Sequence, residues 1–277
     1  MFILETETIE WVPVVKNHRT GKITRKFIHE GESSPGVGYT SDLVRYEGGH
    51  GVFTAPRHRH NFDQFRFTIS GDPDYGQGQV SSEGGVAFFP AGAHYGPERF
   101  EEVEILLVQW SENWVTRAKS DAAFTELEKS GTFKDGFYVT VDADGNEVRR
   151  DATNTVWETA NGKPLVYPVP RYPQPVLMNP EGFAWREEDG VRRKDLGHLT
   201  ENDFNVQKYQ WDADGRVSLP ADRTQMVWLM SGEVEVEDRK LGARTIVISD
   251  LGESHALVGV NPGEAMVFDF GAPLPGR

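Results

Sequence analysis

The stretch that decides the reading is Arg57-His58-Arg59-His60-Asn61-Phe62-Asp63-Gln64, answered further along by Pro90-Ala91-Gly92-Ala93-His94-Tyr95. On a strand, residues i and i+2 point to one face, so His58 and His60 can converge on a single metal ion. Gln64 lies four positions beyond His60, past an expected turn at Asn61 to Asp63, and can re-enter the same pocket from the next strand. His94 would arrive from a later hairpin. Three imidazoles and one oxygen donor suit a divalent first-row ion such as Fe, Mn, Ni, Zn or Cu. The plainer alternative is a pair of exposed strand-end histidines between arginines, with Gln64 bonding a histidine or water.

Outward from this stretch, short alternating or apolar runs separated by Gly, Pro, Asn and Asp dominate both ends of the chain. Gln64 to Ser70, Gly85 to Phe89 and Val103 to Trp110 are examples, as are Gln225 to Met230, Thr245 to Ile248 and Ala265 to Phe270. This is the pattern of an all-β sandwich or barrel. The blocks also repeat. Gln64 precedes Gly71 by seven residues, Gly92 follows after 21 and Trp110 after 18 more; Gln225, Gly232, Gly252 and Phe270 are spaced by 7, 20 and 18. Two β units of common origin would give this. Between them, Val115, Ala118, Ala122 and Leu127 recur at helical spacing, predicting one helix within Trp114 to Lys129 that ends before Gly131. Six prolines between Asn161 and Pro180 predict an ordered surface linker, and Asp142-Ala-Asp-Gly-Asn and Asp212-Ala-Asp-Gly read as hairpin turns.

At this point the chain resembles the cupin superfamily. Its first motif, His-x-His, three or four residues, Glu, six residues, Gly, is matched by His58, His60, Gln64 and Gly71. Its second, Gly, five residues, Pro-x-Gly, two residues, His, is matched by Gly84, Pro90 and Gly92. The resemblance is close over 51–110 and repeats more weakly over 215–270. It implies an all-β fold of two cupin-like antiparallel barrels (double-stranded β-helix, or jelly roll) with one short helix between them. The expected division is 1–112 for N-terminal strands and a metal-binding barrel, 113–180 for the helix and Pro-rich connection, and 181–277 for a degenerate second barrel. Extra N-terminal strands would pair with a barrel edge, in this chain or a partner's.

Two positions depart from the family pattern. The metal-binding Glu is Gln64, and the last histidine position is Tyr95, with His94 one residue early. A one-residue shift on a strand turns a side chain to the other face unless a bulge corrects it. The expected metal set is His58, His60, Gln64 and His94, with Tyr95 and Arg66 as catalytic candidates that orient or protonate intermediates. Glu98, Glu101, Glu102 and Glu104 read as a solvated acidic face, with a place near the pocket mouth as the alternative for Glu98. In the second block the His-x-His positions fall on Leu219 and Ala221, and only Gln225 and His255 keep ligand-like places.

The resemblance implies a divalent metal cofactor, Fe(II) first, and a dioxygenase acting on a small organic molecule. A redox-inert lyase, isomerase or hydrolase at the same site, and a non-catalytic small-ligand-binding bicupin, are the alternatives. Composition narrows partners more than chemistry. The 277 residues hold no cysteine, which excludes disulfides, thiolate metal sites and cysteine nucleophiles. A net charge of −14 argues against nucleic acid and anionic membrane surfaces. No run approaches the ~20 apolar residues of a spanning helix, and the start, Met1 to Glu7, carries acids where a signal peptide wants bases. A cytoplasmic homodimer is the expectation.

Overall fold

A computed structural model describes residues 1–14, 21–47, 52–112, 114–188, 190–199 and 204–270. The chain begins with β1 (Phe2–Glu5), β2 (Val12–Val14), β3 (Lys22–Ser34), β4 (Val37–Glu47), β5 (Phe53–Ala55), β6 (Asp63–Ser70), β7 (Val86–Phe89), β8 (Glu98–Phe100) and β9 (Glu102–Ser111). The middle holds α1 (Arg117–Leu127), β10 (Thr132–Lys134), β11 (Phe137–Val141), β12 (Glu147–Asp151), α2 (Ala152–Asn161) and β13 (Val176–Met178). Last come β14 (Arg186–Glu188), β15 (Val191–His198), β16 (Asn205–Trp211), β17 (Arg216–Leu219), β18 (Gln225–Val236), β19 (Arg239–Gly242), β20 (Thr245–Ser249) and β21 (His255–Asp269).

The two large sheets have the same order. One runs β13-β7-β6-β9-β4-β3-β2, the other β1-β20-β18-β21-β16-β15-β14. Their registers correspond as well. His58 bridges to Tyr95 in the first unit, and Leu219 pairs with His255 in the second. Asp63 stands opposite Trp110, and Phe270 donates its N–H to the Thr224 carbonyl, so the residue before each glutamine meets the last aromatic of its block. Gly71, Gly92, Gly232 and Gly252 all have φ between +75° and +94°, the left-handed region where a side chain costs energy, which explains why the repeat is written in glycines.

The outermost strand of each sheet comes from elsewhere in the chain. β1 pairs with β20, Phe2 opposite Ile248. β13 pairs with β7, Val176 opposite Phe88. Backbone groups that an open edge would leave to solvent are satisfied on both sheets this way. The Pro-rich stretch is therefore more than a linker: past Pro175 it supplies a strand.

Three cores follow from strand alternation. Phe53, Tyr75, Phe89, Tyr95, Phe100 and Ile105 fill the first unit. Val217, Leu219, Val227, Leu241 and Val247 fill the second. Between the units lies a shared core in which Phe65, Trp110, Phe204 and Phe268 meet, with the Trp110 and Phe204 rings stacked at 4.1 Å.

Two helices form where one was expected. α1 begins at Thr116, whose hydroxyl accepts from the Lys119 N–H. α2 begins at Asp151, whose carboxylate accepts from the Asn154 N–H, and ends at Gly162 in the left-handed conformation. Its sequence, Ala-Thr-Asn-Thr-Val-Trp-Glu-Thr-Ala-Asn, buries only Thr155 and Val156 and is rich in poor helix formers, so propensity does not announce it. Of the two expected hairpin turns, the one at Asp142 joins the paired strands β11 and β12. The one at Asp212 joins β16 to β17, which both pair with β21 instead of each other. Among the described residues no helix is long and apolar enough to cross a membrane.

Candidate functional site

The His58–Gln64 segment enters β6 stitched to the loop that carries Tyr95. His58 and Tyr95 exchange backbone hydrogen bonds at 3.0 Å each way, and the Gly92 N–H donates to the His60 carbonyl at 2.8 Å. The Asp63 carboxylate accepts from the Ala91 N–H at 2.7 Å. Gly92 is pressed so closely beneath the Pro-rich stretch that a Cβ there would sit 2.0 Å from the Pro168 carbonyl oxygen.

This stitching brings the two imidazoles together, edge to face, with ring centroids 5.1 Å apart. His58 Nδ1 lies 2.7 Å from the Pro56 carbonyl. A carbonyl only accepts, so Nδ1 carries the proton and Nε2 is the basic nitrogen of the neutral ring. The Tyr95 ring packs on His58 at 4.4 Å, and His60 stacks on Phe62 at 4.5 Å.

Behind the histidines lies a buried polar network. Gln64 Nε2 donates to the Tyr95 hydroxyl at 2.8 Å, and Gln109 Nε2 donates to Gln64 Oε1 at 3.0 Å. Arg66 gives one nitrogen to the Tyr95 hydroxyl at 3.1 Å and another to the Glu98 carboxylate. Its guanidinium lies over the Phe89 ring at 4.4 Å. Burial works against the charge of Arg66, and Glu98 together with Tyr95, Tyr46 and Tyr75 more than offsets it, holding the guanidinium protonated.

His94 takes the opposite side. Tyr95 is buried and His94 is exposed, as strand alternation requires when no bulge intervenes. Desolvation, then the charges of Arg59 and Arg57, push the His94 imidazole below its ordinary pKa. Among the described residues, no group of three or more His, Asp or Glu is placed to hold a metal ion. The structure thus joins Gln64, Tyr95 and Arg66 in one network behind His58 and His60, while His94 stays out of that network and lies on the wall of the cleft in front. The residues present do not fit the expected four-ligand set. His94 faces away from Tyr95, the Gln64 amide is bonded at both ends, and a buried cation stands behind Tyr95.

Two further expectations change. Glu98 and Glu104 were placed on a solvated acidic face; they are 1% and 6% exposed. Glu98 pairs with Arg66, and Glu104 with Arg45 and Arg244. The signal for Glu98 was its period of two with Phe100, whose side chain points inward. Arg66, expected to orient or protonate intermediates, is buried and held by Glu98.

In front of the histidines opens a cleft of about 380 Å³ between the 56–62 segment and α2. Arg57, Arg59 and His94 join His58 and His60 on its wall, with Phe62, Trp157, Leu165 and Tyr167 as apolar surface. The contribution of α2 and Tyr167 carries no motif and was not legible. At the equivalent place in the second unit, Leu219 is buried, and His255 lies 3.1 Å from Glu237 and 3.3 Å from Glu253.

With this geometry in place, solved structures can be compared. The fold is a cupin jelly roll. A protein from Nostoc punctiforme, named as a candidate dioxygenase, matches with a TM-score of 0.64 at 14% identity, over 100% of this chain and 84% of that one. Protein Ylba from E. coli matches at 0.55 and 14%, over 96% and 89%. An oxalate decarboxylase variant from Bacillus subtilis matches at 0.55 and 12%, over 98% and 77%. No family model and no curated protein matches the chain. At these identities the likeness establishes the fold and leaves the reaction to the site.

Proposed function

We propose that this chain is a cupin enzyme acting on a small organic molecule at the mouth of the first β unit, with His58 and His60 at the reacting atoms. The observation that carries this reading is the convergence of the two imidazoles in the wall of a 380 Å³ cleft. Imidazoles take and give protons near neutral pH, so a pair can serve one substrate as base and acid. Pro56 fixes His58 with Nε2 as the basic atom, and Tyr95 acts as a positioning residue against its ring. The second unit is read as a degenerate copy that keeps the register and lacks the histidines, which makes the chain a bicupin.

An Fe(II)-type dioxygenase is the second reading. The bonded Nδ1 of His58 favours it, because that arrangement fixes Nε2 as the nitrogen an ion would use. It requires ligands beyond His58 and His60, and Gln64 and Tyr95 would have to release each other to supply them.

Untagged wild-type and His58→Ala proteins would be analysed for bound metal and incubated with a panel of small organic acids, recording substrate loss and oxygen uptake. Acid–base chemistry expects a compound consumed by the wild type alone, without oxygen uptake or need of added ion. Oxygen uptake that depends on Fe(II) would move the assignment to the dioxygenase. Binding without turnover of any compound would make the chain a ligand-binding protein.

A further inference from the structure

Charge and shape in the cleft go further than the two histidines. The chain has 43 acidic and 29 basic side chains, yet this wall carries Arg57, Arg59 and three histidines against one acid, Asp151. The Asp151 carboxylate is occupied, accepting the Asn154 N–H at 2.8 Å to cap α2. Several arginines elsewhere hold carboxylates, as Arg45 holds Glu104 and Arg223 holds Asp269. Among the described residues neither Arg57 nor Arg59 has an acidic partner. An anion from outside would meet two unneutralised guanidiniums.

The second half of the argument is apolar. Phe62, Trp157 and Tyr167 bring three aromatic rings to the cleft. Tyr167 is fixed by its hydroxyl, which donates to Asn154 Oδ1 at 2.9 Å. The Arg59 guanidinium lies 3.9 Å over the Tyr167 ring, a stacking that leaves the in-plane N–H fork open to a carboxylate. The volume lies at the small end of ligand sites, which suits one or two rings and excludes long acyl chains.

Resting on the reading of this cleft as the substrate site, we propose that its substrate class is the aromatic carboxylates. The carboxylate would sit on Arg57 and Arg59 and the ring against Phe62, Trp157 and Tyr167, with the histidines within reach of the bound molecule.

Titration calorimetry with benzoate, benzyl alcohol and acetate tests this on the full chain. Benzoate should bind at least tenfold more tightly than either of the others. Arg57→Gln with Arg59→Gln should weaken benzoate at least tenfold and leave benzyl alcohol unchanged, while Arg57→Lys with Arg59→Lys should retain most of the affinity. Trp157→Ala should weaken both aromatic ligands. Benzyl alcohol binding as tightly as benzoate, or benzoate binding that ignores the double glutamine variant, would overturn the substrate class. Catalysis is judged separately: benzoate binding with no turnover of any aromatic acid leaves the ligand class standing and removes the enzyme reading.

Discussion

Gln64 and Tyr95 hold each other: the Gln64 amide donates to the Tyr95 hydroxyl at 2.8 Å, at the two positions where the cupin resemblance places a carboxylate and an imidazole. A direct bond between those side chains occupies the space in which an ion would be held. Gln109 behind Gln64 and Arg66 behind Tyr95 fix both partners in place. Gln64 contributes no negative charge to offset a dication.

Restoring both donors should therefore create what the pair now forecloses. Gln64→Glu with Tyr95→His supplies a carboxylate and an imidazole to His58 and His60, the donor set a divalent first-row ion takes. The double variant should bind about one equivalent of Mn²⁺ or Zn²⁺ by competition against a chromogenic chelator. Wild type should bind far more weakly. Equal affinity in the two proteins would show that Gln64 and Tyr95 do not decide the matter.

The Arg66–Glu98 pair is buried at both ends, with side chains 5% and 1% exposed. Breaking such a pair leaves an uncompensated charge, which costs about 3–5 kcal/mol, whereas replacing both members by apolar residues is often close to neutral. Arg66→Leu and Glu98→Leu should each lower the unfolding free energy in urea by that order. The double variant should lose much less than the sum, although Tyr95 also loses the guanidinium bond. Additive losses would mean that the two residues act independently.

How much of this was written in the sequence differs from residue to residue. The spacing of His58, Gln64, Gly71 and Gly92 survives as register because turns need left-handed glycines and strands alternate with period two. The same alternation buries Tyr95 against the His58 ring and leaves His94 exposed on the cleft wall. The alternation from Gln64 to Ser70 marked β6 as a strand, but it pointed to a watery face where there is none: Gln64 and Arg66 are as buried as Phe65 and Phe67. Phe65 packs into the core between the units while Gln64 and Arg66 face the first unit's interior. That an N-terminal strand would pair with a barrel edge was legible, and β1 does so; which edge β1 takes, and that β13 takes the other, were not. An edge strand's partner is set by which edge the tertiary fold leaves open, not by its own residues.

Asp42 gives the stability a pH dependence of unusual sign. Burial pushes its carboxyl up to about 6, against the pull of Arg25 and Arg117. An acid whose folded pKa exceeds its unfolded value binds its proton more tightly in the native state. Its contribution therefore declines as pH rises from about 4 to about 6 and stays low above that. At about 1.4 kcal/mol per pKa unit the decline is on the order of 2–3 kcal/mol. Asp42→Asn should reduce the slope across that window, with Asp63, which burial also pushes up to about 6, supplying the part that remains, read from urea midpoints between pH 4 and pH 8. An unchanged slope would locate the titration elsewhere.

Trp110 and Phe204 join the two units ring to ring, 2% and 1% exposed, and Phe65 stacks on Phe204 at 4.8 Å. Phe204 belongs to the second unit by sequence, whereas Trp110 and Phe65 belong to β9 and β6 of the first. A core shared in this way makes each unit's stability depend on the other. The wild type should accordingly unfold in one cooperative transition, with tryptophan fluorescence and far-ultraviolet circular dichroism superimposing. Phe204→Ala removes the ring at the centre of the stack and should cost about 3–5 kcal/mol; Phe204→Leu, which refills part of the volume, should cost less. Two separated transitions in the wild type would mean that the aromatic core couples the units only weakly, and Phe204→Ala would then lower one of them alone.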